Sequence, residues 1–388
     1  MRDNSLTMYA CFISTMRSSL LASAIFFVTL SSCHHAVYAQ DAEAPKASPP
    51  SPQPQAAPLD YKHLGPVQVL DNGVVTLGVA ARVGRVVTYQ RKTAAGPSEP
   101  NWLGITDEAP IPSWHWNPWG GDRIWPTTQL LNPQIYGNTG WDPVIDGAAW
   151  EIVTSTPTAL EIRSGLSAHL GIRITRRFEL RKNSPQVWQT IVVEKLKPSV
   201  WPVHVWTVTT VRKDVPGQPD SARYFLLDNV PGIPHPNYLP YRLWPDVVGK
   251  PKVEYNKPLR TLHVAMPEKY IKAGTFGTWI AYVEENSAFI QTVAHDRAAV
   301  YLEASNLQAY AKRETQIYEI EALSPTWHMA EGERKVWNVT WNLIDFPAAE
   351  NTIEARSKYL KDIALRMSAV PADSRTPSSI EGGAGSSD

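Results

Sequence analysis

Cysteine is almost missing from this chain. There are two in 388 residues, Cys11 and Cys33, and both lie in the first forty. Once such a leader is removed or acylated, the protein has no disulfide, no thiol nucleophile and no Cys-ligated zinc. An excess of one charge is missing as well, with 37 Lys and Arg against 37 Asp and Glu and a formal net charge of +0. That balance argues against a nucleic-acid partner, which needs a basic face to offset phosphate. There is no Gly-x-Ser-x-Gly elbow, no Walker motif and no dinucleotide fingerprint. No histidines stand at the i, i+4 spacing of a helical metal site and no Asp/Asn run matches a calcium loop, so neither metal nor cofactor is expected. No helix of ordinary length is readable before Ala348, which argues against βαβ architectures. No internal repeat of the propeller kind is visible either.

What the chain has in excess is tryptophan, 15 against 8 Phe, within a hydrophobic content of 43%. Short stretches rich in Val, Ile, Thr and aromatics recur between Pro, Gly, Asn and Asp. They are Val74 to Val79, Arg85 to Tyr89, Trp150 to Thr154, Ala159 to Arg163, Ile172 to Leu180, Val187 to Val193 and Val203 to Val211. Later ones are Arg260 to Val264, Thr278 to Val283, Phe289 to Val293, Gln316 to Leu323 and Val336 to Leu343. In Ile172 to Leu180 the apolar residues recur at period two, and Arg176 alone breaks the pattern. An all-β fold, a large antiparallel sandwich, is the expectation. One amphipathic helix over 348–370, with Ile353, Leu360, Ile363, Ala364 and Met367 on one face, should pack against it.

The ends read differently. Arg17 precedes the apolar run Leu20 to Leu30, too short to span a bilayer but suited to a signal peptide over 1–39. Two exits remain open: a signal-peptidase site at Val37-Tyr38-Ala39, or a lipobox, Leu30-Ser31-Ser32-Cys33, whose Cys33 would be acylated. Either places the protein in the periplasm, on the outer membrane or outside a bacterium, with any membrane contact made through that lipid. Residues 40–58 form a proline-rich linker favouring polyproline II, 59–347 the β domain, and 371–388 a Ser/Gly-rich disordered tail. Nothing indicates an oligomeric state.

Two clusters carry chemistry. Trp114-His115-Trp116-Asn117-Pro118-Trp119-Gly120-Gly121-Asp122-Arg123-Ile124-Trp125-Pro126 holds four tryptophans in thirteen residues. Indoles lie flat on the C–H faces of sugar rings while Asp122 and Arg123 orient hydroxyls, so this mixture suits a saccharide platform. The bland alternative is a rigid loop whose tryptophans plug one end of the sandwich. In Tyr318 to Pro325, Glu319 and Glu321 share a strand face about 7 Å apart. In a pocket, repulsion and desolvation would raise one pKa and make a general base; on an open face they are surface glutamates. His235, in a proline-rich insertion with Trp244 and Asp246, suits a lid, and His295 and His328 read as surface residues.

The order of these features resembles a family of bacterial secreted proteins known only as a domain of unknown function. That family lies within the galactose-mutarotase-like β-supersandwich superfamily. The residues that carry the resemblance are Leu77 to Val86, which has Val83 where the family has glycine, and Gly120-Gly121-Asp122-Arg123-Ile124-Trp125-Pro126. Pro202 to Thr209 and Glu319 to Pro325 also match, followed by Glu331-Gly332-Glu333 and Trp341. The similarity spans Val67 to Phe346. It implies a supersandwich with one C-terminal helix whose concave face binds a carbohydrate, with Glu321 at the position of the epimerases' general base. Those epimerases carry their acid histidine in an Asn-His-aromatic stretch, whereas Val203-His204-Val205-Trp206 has no asparagine before His204. The acid is then His204 or a substitute, His115. Two functions follow: a saccharide-binding protein stacking sugars on Trp116, Trp119, Trp125 and Trp206, or an epimerase-type enzyme.

Overall fold

The computed structural model describes residues 60–93, 99–106, 108, 116–213, 222–231, 240–244 and 252–368. The leader with Cys33, the linker, His115, His235, Asp246 and the tail lie outside the described residues.

Period-two alternation folds the chain into two large antiparallel sheets, the all-β architecture expected. Ten strands form one, in the order Val253–Asn256, Thr261–Ala265, Arg223–Asp228, Trp279–Glu284, Ser287–Val293, Arg334–Asp345, Val187–Lys195, Ile172–Leu180, Ala159–Arg163 and Glu151–Ser155. Nine form the other, in the order Arg242–Leu243, Tyr270–Thr275, Leu307–Lys312, Ile317–Leu323, Trp206–Val211, Asp122–Trp125, Arg85–Arg91, Val75–Ala80 and Gln68–Asp71. Their facing sides interdigitate into one apolar core that includes Leu77, Trp102, Ile174, Phe178, Ile320 and Trp341.

The ten-stranded sheet is covered on its other side too. Helix Ile353–Ser368 lays Leu360, Ala364 and Met367 onto Tyr224, Leu226, Trp279, Val283, Ile290 and Ile344. This double cover is why Trp279–Glu284 is buried throughout rather than alternating. Burying Leu360 and Met367 stabilises the docked helix by about 1.5–3 kcal/mol apiece. The helix begins later than its periodicity predicts, because the Thr352 hydroxyl accepts from the Ala355 N–H and caps it there. Ile353, expected on the buried face, is 39% exposed, and Ser357 takes the inward place.

Arg176 does not break its strand's pattern. It occupies an inward position and is fully buried, crossing the core to pair with Asp122 of the opposite sheet. Gln189 Oε1 accepts from its Nη2 at 2.7 Å, and the Thr209 hydroxyl donates to Asp122 at 2.6 Å. The two sheets are therefore pinned by a buried ion pair set in a small polar cluster with Gln189, Thr209 and Gln291.

Candidate functional site

The outer face of the nine-stranded sheet holds the site. Residues directly opposite in an antiparallel pair share a face, so the register fixes what meets there. Glu321 lies between Val208 and Gln308, and Glu319 between Thr210 and Tyr310. Beyond them Tyr310 faces Lys272 and Lys312 faces Tyr270 on one side. On the other, Val208 faces Arg123 and Trp206 faces Trp125. Ile320 and Ala322 occupy the core, so the whole set points outward. Apart from Thr210, Gln308 and Lys312, it lines a cleft of about 270 Å³ together with Trp116, Gln129, Trp244 and Ile317.

Two glycines deliver the tryptophan segment to this face. Gly120 and Gly121 both have positive φ, +74° and +72°, where a side chain is strained. A Cβ at either would also strike backbone, 2.1 Å from the Gly104 oxygen or 2.4 Å from that of Val86. The chain then enters strand Asp122–Trp125, in which Asp122 and Ile124 turn inward and Arg123 and Trp125 outward.

Each carboxylate of the cleft is held by a cation. Arg123 lies 3.1 Å from Glu319, and Lys272 lies 3.2 Å from Glu321. The Trp206 indole also donates to Glu321 at 2.9 Å. Lys272 sits in an aromatic cage, 4.8 Å over Trp206, 5.2 Å over Trp244 and 6.0 Å over Tyr310. Burial pushes the Glu321 pKa up to about 7; Lys272 opposes that shift and the nearby Glu319 charge adds to it. Glu321 is thus present in both proton forms near neutral pH.

A third carboxylate works behind the cleft wall. Asp146 Oδ2 accepts from the indoles of Trp116 at 2.9 Å and Trp125 at 2.8 Å, while its Oδ1 pairs with Arg85 at 2.8 Å. Both indole planes are fixed by one buried anion. Trp116, Trp125 and Trp206 continue as an edge-to-face row, with rings 6.2 and 5.5 Å apart, and Arg123 caps Trp116 at 4.7 Å.

The structure brings together Glu321, Glu319, Arg123, Trp116, Trp125 and Trp206 from the residues singled out in sequence. It does not bring Asp122, Trp119 or His204 into the cleft. Adjacent residues of a strand point to opposite faces, so Asp122 cannot join Arg123 there and is spent on Arg176. Trp119 is a plug: it packs with Leu64, Val67, Val83 and Val87, and its indole donates to the Glu108 carbonyl at 3.1 Å. Trp206 reaches the cleft as floor, only 1% exposed with Lys272 over its ring.

His204 lies just before the strand that opens at Trp206 and is buried, 1% exposed, with its ring 6.1 Å from that of Trp206. Burial drives its pKa down to about 4, which a backbone contact at Thr127 only partly offsets. A neutral, covered imidazole is no general acid at neutral pH. Because its role is packing, His204→Phe should cost less than about 1.5 kcal/mol. That variant should leave ligand affinity unchanged, as thermal melting and titration calorimetry would read.

Sequence reasoning missed Lys272, Tyr270, Tyr310, Gln129 and Asp146, and placed Trp244 over the pocket only as part of a lid. Strands Tyr270–Thr275 and Leu307–Lys312 carry little strand signature, since Lys-Ala-Gly and Gln-Ala-Tyr-Ala lack β-branched alternation. Among the described residues, no three or more His, Cys, Asp and Glu gather as metal ligands, and no helix is long and apolar enough to cross a membrane.

No family model matches this chain, and no curated protein does. Solved structures similar to it include a galactose mutarotase related enzyme from Lactobacillus acidophilus, at 10% identity and a TM-score of 0.47, covering 73% of this chain and 98% of that one. A galactose mutarotase-like protein from Lactobacillus casei has 9% identity and a TM-score of 0.48 over 72% of this chain and 100% of its own. An aldose epimerase homologue from C. elegans has 10% identity and a TM-score of 0.41 over 72% and 99%. These three similar structures are galactose mutarotase-like and aldose epimerase proteins; others are a TPR-domain containing protein from Parabacteroides distasonis and an alpha-N-acetylgalactosaminidase from Bifidobacterium bifidum.

Proposed function

We propose that the cleft binds a carbohydrate. The observation that carries this is the convergence of Trp116, Trp125 and Trp244 on a cleft floored by two ion-paired carboxylates. Indole faces match sugar C–H faces, and Gln129, Glu319, Glu321, Tyr270 and Tyr310 offer the directional hydrogen bonds that hydroxyls need. Thermal melting of the full chain against monosaccharides, uronic acids and oligosaccharides tests it. A ligand at about a hundred times its Kd adds about 2.7 kcal/mol, several degrees of Tm. Trp125→Ala should then weaken that ligand by about 2 kcal/mol, roughly thirtyfold. A flat response across the panel removes the reading.

One observation favours an epimerase-type enzyme as a second reading: the Glu321 carboxyl, pushed up to about 7, is matched to proton transfer near neutral pH. As base it would take the proton of an anomeric hydroxyl while a donor protonates the ring oxygen, so that the ring opens and recloses on either face. With His204 buried, proton donors lining the cleft among the described residues include the Lys272 ammonium and the phenols of Tyr270 and Tyr310. Glu321→Gln should abolish turnover under this reading and spare most affinity; under the first there is no turnover to lose. From its leader alone, we place the protein in a bacterial envelope or outside the cell. Cys33→Ala distinguishes the two exits, since a lipidated protein would lose its membrane fraction.

A further inference from the structure

We infer that the cleft is the middle of a longer groove built for a neutral oligosaccharide rather than a single sugar, an inference that rests on the carbohydrate reading above. On the Tyr270–Thr275 and Leu307–Lys312 side the cleft opens, across the shared Tyr270 and Tyr310, into a hollow of about 800 Å³ reaching Lys312 and Glu314. On the Trp206–Val211 and Asp122–Trp125 side it opens, across the shared Trp116, Arg123, Ile317 and Glu319, into one of about 300 Å³ reaching Thr106, Lys213 and Thr315. The central cleft crosses five neighbouring strands, from Lys272 to Arg123, or about 19 Å at the usual strand spacing of ~4.8 Å. A site for one small molecule typically occupies about 300–1,000 Å³, and here spaces of that order adjoin on both flanks.

The charge arrangement at the centre selects a neutral sugar there. Both central cations are already engaged, Arg123 with Glu319 and Lys272 with Glu321, whereas the larger hollow is lined by Lys269, Lys312 and Arg313 beside Glu268 and Glu314, Lys312 lying 3.9 Å from Glu314. An acidic sugar over Arg123 would have to displace the Glu319 carboxylate from it, leaving that charge uncompensated. Hydroxyls instead add to these pairs without breaking them.

The test is titration calorimetry of the full chain with xylo-, cello-, malto- and chito-oligosaccharides, each from monomer to hexamer, beside oligogalacturonides of the same lengths. In one neutral series the trimer should bind at least about tenfold more tightly than the monomer. Thr315→Trp, a surface turn substitution that fills the smaller hollow, should remove part of that gain. A monomer that binds as tightly as the hexamer overturns the groove. An equal or larger gain along the galacturonide series overturns the neutral-chain assignment. Absence of binding to every series at every length takes down the carbohydrate reading itself, and this inference with it.

Discussion

Arg176→Met should destabilise the protein by about 3–5 kcal/mol, read by denaturant unfolding. Asp122 and Arg176 are both fully buried, one in each sheet, and the pair is made across the core. Removing the cation leaves a buried carboxylate with the Thr209 hydroxyl as a neutral partner, and an uncompensated buried charge costs that much. Burial already raises the Asp122 pKa, with Arg176 the leading opposing influence, so in the variant the carboxyl should take up a proton far more readily. Arg176→Met combined with Asp122→Leu should recover most of the loss, because replacing a whole buried pair with apolar side chains is often close to neutral. The double-mutant cycle separates this pair from simple packing damage. A single-variant loss below about 1 kcal/mol would mean that water reaches the pair.

The second large effect concerns pH. In the unfolded chain the Glu321 carboxyl titrates near 4.5, whereas in the fold burial raises it to about 7. Below about 4.5 both states hold the proton and the protonated group contributes fully to stability. Between about 4.5 and about 7 the unfolded state releases its proton first, so stability falls as pH rises; above about 7 the change is complete. At about 1.4 kcal/mol per pH unit, this window corresponds to about 3 kcal/mol. His204 acts with the opposite sign, since a folded pKa of about 4 against 6.5 makes stability rise with pH between those values. The Glu321 contribution is therefore measured as the difference from Glu321→Gln/Lys272→Met, which removes both members of the ion pair. A carboxyl ¹³C titration gives the Glu321 value directly, and Lys272→Met should move it higher still, since Lys272 holds it down. A midpoint near 4.5 in the native protein would show that Glu321 is solvated and would remove the proton-transfer reading.

By itself the sequence determined that the fold is built of strands, because period-two alternation and turn residues are local properties. Those strands close into two sheets, with the C-terminal helix on one of them. It likewise put Glu319 and Glu321 on one face, since two residues apart on a strand is a geometric certainty. Only the tertiary structure decided which side of the sheet that face is, and so whether the pair is solvated or sits in a cleft. The same holds for Asp122 and Arg123, adjacent in sequence and plausible together as a loop. Once Gly120 and Gly121 let the chain enter a strand, one side chain crosses the core and the other lines the cleft. Trp119 and Trp125 have the same composition around them and opposite fates for the same reason. Lys272 and Tyr310 reached the site through strands with little β signature, the place of Lys272 being set by pairing with Tyr310, 38 residues away in sequence. Asp146 gave no local signal at all, because its role exists only where two indoles of the tryptophan segment and Arg85 from another strand meet on one carboxylate.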